Sequence, residues 1–220
     1  MGRAPVDLAI KRAPRQKRAV ETYERILGVA ARLLVDIGVE RISTNLIAAE
    51  AGIKVPALYR YFPNKYAVLM ALGDRLMTRQ NTVIEEWLAR SSNRTEPDAL
   101  IEDISFLLER TVEVTRAEPA ALAITLALRA VPPLQEVRVS SHRLVSDLIT
   151  DQVAPRLPGV PRAEIWPRVR LSVELSYAAI EMILEEDEVD AATVTRETAA
   201  FVRAYWRNWL SGLDQKDSHD

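Results

Sequence analysis

Apolar residues recur at three- and four-residue intervals along almost the whole chain, and no stretch of four to eight residues alternates strictly between apolar and polar. A half-buried strand needs that alternation, because successive side chains on a strand point to opposite faces. A helix instead brings every third or fourth residue onto one stripe. The pattern predicts an all-α fold. At 48% hydrophobic and 27% charged residues over 220 positions, the chain has enough apolar surface for a real core in one large or two small domains.

Proline and small polar residues mark the helix boundaries, since proline is tolerated in a first turn but not in an interior. About nine helices follow. The first covers 20–37, with Ile26, Leu27, Ala30, Leu33 and Leu34 on one face and Gly38 as its stop. Short helices are expected at 44–51 and 55–61. A long fourth starts at Lys65, with Val68, Leu69, Leu72, Leu76 and Val83 leading to Trp87 and Leu88 and joining two domains. Further starts lie near Pro97, Pro119 and Pro133, with Thr95 and Glu118 as capping groups for the first two. Residues 155–161 form a loop, and the last two helices cover 162–187 and 191–212, with Pro167 expected to break the former early. Between them the acidic run Glu185, Glu186, Asp187, Glu188, Asp190 opposes a helix dipole and reads as a solvated connection.

Composition narrows the chemistry. Without cysteine there is no disulfide, thiolate metal site or cysteine nucleophile. The seven glycines are too scattered to build a phosphate-cradling loop. A histidine triad would rest on His142, because the other histidine, His219, lies in a polar tail. The nearest carboxylate pair on one helix, Glu174 with Glu181, is two turns apart. These features argue against an enzyme, a metal site or a cofactor. The longest apolar stretch, 120–128, is about half a membrane span, and the N-terminus carries charges where a signal peptide needs an apolar run, so a cytoplasmic location is expected.

Charge is segregated. Residues 1–75 hold 13 Lys/Arg against 7 Asp/Glu, a balance of +6, whereas residues 76–220 carry −8. A basic N-terminal third on an acidic remainder is the pattern of a chain whose first part meets a polyanion, and nucleic acid is the leading candidate. The extreme case is 1–18, where Arg3, Lys11, Arg12, Arg15, Lys17 and Arg18 face a single Asp7. This segment reads as a flexible basic arm.

A helix-turn-helix needs a small residue where two helices cross, glycine in the turn, and apolar groups locking the second helix to the first. Residues 44–62 meet those needs: Ile47 and Ala51 point inward, Ala48 is small at the crossing, Gly52 supplies the turn, and Ile53, Leu58 and Tyr61 form the lock. The run Ala48-Ala49-Glu50-Ala51-Gly52-Ile53, followed by Ala57-Leu58-Tyr59-Arg60-Tyr61-Phe62-Pro63-Asn64-Lys65, resembles the TetR/AcrR family of transcriptional regulators over about 45 residues, from Ile26 to Leu72. The resemblance implies a homodimer whose N-terminal helix-turn-helix reads a palindromic operator. It also implies a C-terminal helical domain that binds a small effector, with repression as the usual outcome. The division would be an arm at 1–18, a DNA-binding domain at 19–64 and an effector-binding and dimerisation domain at 65–220. One departure stands out: Lys54 occupies the position where the family commonly has serine or threonine, exchanging a capping group for a cation. A helical protein-interaction module that keeps this fold without binding DNA is the alternative.

In this reading the helix beginning at Val55 enters the major groove. Lys54, Val55, Ala57, Tyr59 and Arg60 form its exposed set, with Lys54 able to donate to guanine and Val55 and Ala57 able to meet a thymine methyl. Tyr59 matches the family tyrosine that contacts phosphate. Thr44 and Lys65, at helix starts, are expected to hold phosphate, and Arg15, Lys17 and Arg18 to follow the backbone or enter a minor groove. The family places the last two helices of each subunit in a dimeric four-helix bundle. Val173, Tyr177, Ile180 and Leu184 form one apolar stripe for it, Leu171, Leu175, Ala178 and Met182 another, with Phe201, Tyr205 and Trp209 from the last helix. Candidates for an effector pocket are Trp87, Phe106, Arg129, His142, Glu174 and Tyr177, which interrupt or enrich inner faces.

Overall fold

The computed structural model describes residues 16–91, 96 and 98–217. The arm residues before position 16, including Arg15, lie outside the described residues, as do Thr95, Pro97 and His219. The described residues form ten α-helices and two 3₁₀ turns, with no strand. The all-α expectation holds, and the helix beyond the expected nine is the single turn Ala99–Glu102. The chain divides into two compact units: Met1–Thr78 with Ala117–Val139, and Arg79–Arg116 with Ser140–Asp220.

The first unit begins with α1 (Lys17–Arg41), whose expected face Ile26, Leu27, Ala30, Leu33 and Leu34 is buried. Gly38 breaks its α geometry at φ 74 and ψ 167, a left-handed conformation natural to glycine. Ser43 then caps α2 (Thr44–Glu50), its hydroxyl accepting from the Leu46 N–H at 3.2 Å. Gly52 turns the chain at φ 63, with the Ile53 N–H donating back to the Ala48 carbonyl at 3.0 Å. The next helix, α3 (Val55–Leu58), is one turn long and carries Pro56 in its first turn, where the missing N–H is harmless. Asn64 caps α4 (Lys65–Arg90) by accepting from the Ala67 N–H at 3.0 Å.

Only the first half of α4 belongs to this unit, together with α7 (Ala121–Ala130) and the 3₁₀ turn Pro132–Leu134. The expected boundary at 64/65 thus falls inside the unit, because Leu69, Leu72 and Leu76 share one core with Ile26, Leu58, Ile124 and Leu128. A bare backbone at Gly73 permits that packing: a Cβ there would lie 2.7 Å from Cδ2 of Leu128 and 3.3 Å from Val137. Gly28, by contrast, is exposed with open space around it. Gly28→Ala should therefore raise stability in urea denaturation by about 0.5–1 kcal/mol, while Gly73→Val should lower it by about 1–3 kcal/mol. Equal effects would mean that the crowding at Gly73 is unimportant.

The second unit contains the rest of α4, α5 (Ala99–Glu102), α6 (Ile104–Arg116), most of α8 (Gln135–Val153), α9 (Arg162–Glu185) and α10 (Ala191–Asp217). Proline 167 does not end α9, which runs through it. The side chains of α6, α9 and α10 meet in one core with Trp87, Ile149, Ile180 and Trp206. Trp206 Nε1 donates to the Ser172 hydroxyl at 3.0 Å, tying α10 to α9. The acidic connection is exposed as expected, but Asp190 has a defined task. Its carboxylate accepts from the Thr193 N–H at 3.0 Å and the Thr193 hydroxyl at 2.6 Å, capping α10. Those bonds hold the Asp190 carboxyl below its ordinary range.

Candidate nucleic-acid interface and ligand cavity

Helix α3 is held from beneath by Leu58 and Phe62, both fully buried. Phe62 stacks on Tyr23 of α1 with ring centroids 5.2 Å apart. The expected lock residues Ile53 and Tyr61 pack on the same core but are only partly buried. Lys54, Tyr59 and Arg60 are exposed, while Ala57 and Val55 are half-buried, Val55 packing against the core. Lys54 makes no side-chain cap, and its carbonyl accepts from the Ala57 N–H at 2.8 Å. The expected loss of capping at this position is present.

Two residues read separately as phosphate contacts are brought together: the Thr44 and Tyr59 hydroxyls lie 3.1 Å apart. One hydroxyl donates to the other, so the accepting group keeps its own proton for an outside acceptor. Lys65 has a different task from the expected one. Its ammonium donates to the carbonyls of Val39 at 2.9 Å and Glu40 at 3.3 Å, so two of its three protons are committed to the end of α1. Spacing could not reveal this, because the acceptors lie beyond the Gly38 break, 25 and 26 residues earlier. Lys17 and Arg18 are exposed in the first turn of α1.

The second unit holds a partly open cavity of about 60 Å³. Its walls are mostly aliphatic side chains of α4, α5, α6, α8, α9 and α10, together with Trp87, Tyr177, Trp206 and the hydroxyl residues Thr111, Ser172 and Ser176, and include no charged residue or histidine. The Trp87 Nε1–H and the Tyr177 hydroxyl are buried without a hydrogen-bond partner. Burial, with the nearby Glu174 carboxylate, pushes the Tyr177 phenol up, so the group is neutral.

Of the other pocket candidates, Arg129 belongs to the first unit and is exposed, and Phe106 carries the Arg90 guanidinium over its ring, with Arg90 Cζ 4.1 Å from the ring centroid. Neither lines the cavity. His142 and Glu174 stand behind Tyr177 instead: the His142 ring stacks on it at 4.1 Å, and His142 Nδ1 lies 2.9 Å from Glu174 Oε1, which also accepts from Arg170. Burial works to raise the Glu174 carboxyl, but the bonds from His142 and Arg170 outweigh it and hold the group at about 2, against an ordinary 4.5. A depressed carboxyl adds stability that is present above about 4.5 and lost as pH falls toward about 2. The urea midpoint of Glu174→Gln should therefore fall well below that of the parent at pH 6 and approach it at pH 3. A gap that does not narrow would contradict the assignment.

The stripe Val173, Tyr177 and Ile180, expected at a dimer interface, is buried in its own unit and lines the cavity. Leu184, Tyr205 and Trp209 are partly buried on the same core. The outward apolar positions are Leu171, Leu175, Ala178 and Met182 of α9 and Phe201 of α10, with Leu171 48% and Phe201 59% exposed. Among the described residues no group of three or more His, Asp or Glu could hold a metal ion, and no helix is long and apolar enough to cross a membrane.

An exposed one-turn helix locked across a glycine turn onto a three-helix core defines a helix-turn-helix DNA-binding protein. The chain belongs to the TetR family: residues 26–72 match the family of bacterial regulatory proteins of the tetR type, and residues 84–208 match the tetracyclin repressor-like C-terminal domain. It is 39% identical over 59 residues to the tetracycline repressor protein class C of Escherichia coli, 27% of each chain. It is 30% identical over 130 residues to the nucleoid occlusion factor SlmA of Pasteurella multocida strain Pm70, 58% of this chain and 62% of that one. The chain thus spans from about a quarter to about three fifths of these relatives' lengths. The fold is that of a tetR-family transcriptional regulator from Streptomyces coelicolor, with TM-score 0.61 over 90% of this chain and 85% of that one at 18% identity. The protein is accordingly a TetR-family transcriptional regulator with a DNA-binding helix-turn-helix.

Proposed function

We propose that the protein is a cytoplasmic homodimeric repressor, released from a palindromic operator by a small-molecule effector. The observation that carries the operator-binding part is the Thr44–Tyr59 hydroxyl pair beside the exposed Lys54 and Arg60, on a turn anchored by Leu58 and Phe62. The hydroxyls position the turn on phosphate, and Lys54, Ala57 and Arg60 read base edges, while Lys17 and Arg18 follow the backbone from α1. The cavity supports the effector, with Trp87 and Tyr177 as its polar contacts. Leu171, Leu175, Ala178, Met182 and Phe201 form the dimerisation face, since an apolar stripe of this kind is suited to burial against a second copy.

Selection of bound duplexes from fragmented source-genome DNA, followed by anisotropy at two salt concentrations, tests this reading. Enrichment of one palindrome with affinity that falls steeply with salt is expected. On that duplex Tyr59→Phe should weaken binding across all sequences. Lys54→Ala should chiefly shift preference at one base pair, by about 1–3 kcal/mol. No enriched sequence, with neither variant changing anything, would turn the search toward protein partners. Equilibrium sedimentation showing only monomer at micromolar concentration would remove the dimer.

A further inference from the structure

We infer that the effector is an uncharged, largely apolar molecule carrying a hydrogen-bond acceptor, such as a ketone, ester or ether oxygen, that receives the Trp87 Nε1–H and the Tyr177 hydroxyl. The inference rests on the effector reading above and specifies its ligand. It follows from an accounting of the cavity's polar groups. The Thr111 hydroxyl is committed to the Leu107 carbonyl at 2.7 Å. The Ser172 hydroxyl donates to the Arg168 carbonyl and accepts from Trp206 Nε1, each at 3.0 Å. What remains buried and unpartnered on the wall is Trp87 Nε1–H, on a residue 2% exposed, and Tyr177 O–H, on a residue 7% exposed.

The Ser176 hydroxyl also lines the cavity, and it and the Tyr177 hydroxyl can donate or accept, but the indole N–H can only donate, so a ligand atom with a lone pair is the one partner that serves both unpartnered groups. A buried donor without an acceptor is unfavourable, and a ligand that supplies one gains that difference on binding. Charge is excluded from the other side. A carboxylate entering these walls loses its hydration and meets no cation, because no Lys, Arg or His lines the cavity. An ammonium group meets no carboxylate on the wall, only hydroxyl oxygens that do not neutralise its charge. The Glu174 carboxylate behind Tyr177 is already taken by His142 and Arg170, and its charge disfavours any anion near the phenol. Aliphatic walls supply affinity for the ligand's apolar body, and the two donors fix its orientation.

Four compounds of nearly one shape test this on the full chain by calorimetry: acetophenone, ethylbenzene, benzoate and benzylamine. Acetophenone should bind most tightly, and the two charged compounds at least about tenfold more weakly, as expected for a lost acceptor or an uncompensated charge. Trp87→Phe and Tyr177→Phe, which keep the rings, should each weaken acetophenone about two- to tenfold and leave ethylbenzene unmoved. The ligand class is overturned if acetophenone does not bind, if it binds no better than ethylbenzene, or if benzoate or benzylamine matches it. Ile149→Trp, which fills the cavity, separates this failure from failure of the site. Loss of both neutral compounds in Ile149→Trp, with no effect of the two donor variants, overturns the ligand class alone. Acetophenone binding that survives Ile149→Trp unchanged overturns the cavity as the site and the ligand class with it. Circular dichroism verifies folding, and Val173→Met, a smaller filler of the same wall, replaces Ile149→Trp if that variant unfolds.

Discussion

Arg75→Met should cost about 3–5 kcal/mol of stability in urea denaturation, and adding Glu118→Met should return most of it. The Arg75 guanidinium lies 2.5 Å from the Glu118 carboxylate, and the glutamate side chain is fully buried while the arginine side chain is 24% exposed. Removing the arginine takes a cationic partner from a carboxylate whose side chain is fully buried, which is the expensive half of the pair to retain. Removing both charges substitutes packing for the pair. The opposite single change should be milder. After Glu118→Met the arginine keeps its exposed edge and its second partner, Glu24 at 3.3 Å. A loss below about 1 kcal/mol in Arg75→Met would show that the pair is dispensable.

Phe62→Ala should be the most damaging change in the helix-turn-helix motif, at about 3–5 kcal/mol, with Tyr61→Ala costing less than half as much. Phe62 is 0% exposed and stacks on Tyr23 with the rings inclined at 27°, so truncation opens a cavity beneath the reading turn. Tyr61 is only partly buried and meets Tyr23 edge-on at 6.2 Å. Paired urea titrations of the two variants decide the order, and equal losses would place the lock on both rings.

That contrast marks how far the sequence was legible. Short-range periodicity identified the buried face of α1, the break at Gly38 and the turn at Gly52, because each depends on residues within one or two helical turns. It gives Tyr61 a place in the lock with Ile53 and Leu58 and passes over Phe62, since two adjacent aromatics just beyond a one-turn helix cannot be ranked by spacing. The same limit applies on α9. Two apolar stripes, Val173-Tyr177-Ile180 and Leu171-Leu175-Ala178-Met182, both have helical periodicity, and only the packing partners decide which faces inward. Local grammar also misled at Glu118, which stands before Pro119 in the manner of a cap. Helix α7 instead starts from Ala120 at a left-handed φ of 62, and Glu118 answers to Arg75, a partner no local window contains. In the cavity, Trp87 and Tyr177 were legible as polar interruptions of apolar faces. The retreat of His142 and Glu174 behind Tyr177 depends on α8 meeting α9, which spacing along one helix does not encode.

The bond from Lys65 to the Val39 carbonyl ties together two points 26 residues apart in the chain, and everything between them is the remainder of the α1 end, α2, the glycine turn and α3. The reading turn is thus carried on a closed loop whose two ends are fixed to each other, so the entropy of closing it is met by contacts outside the exposed face. Side chains on that face are free to be exchanged without renegotiating where the loop begins and ends. On the proposed operator reading, sequence preference and scaffold geometry are then separable properties of this chain, with Lys54, Ala57 and Arg60 the positions at which a change of operator would be sought.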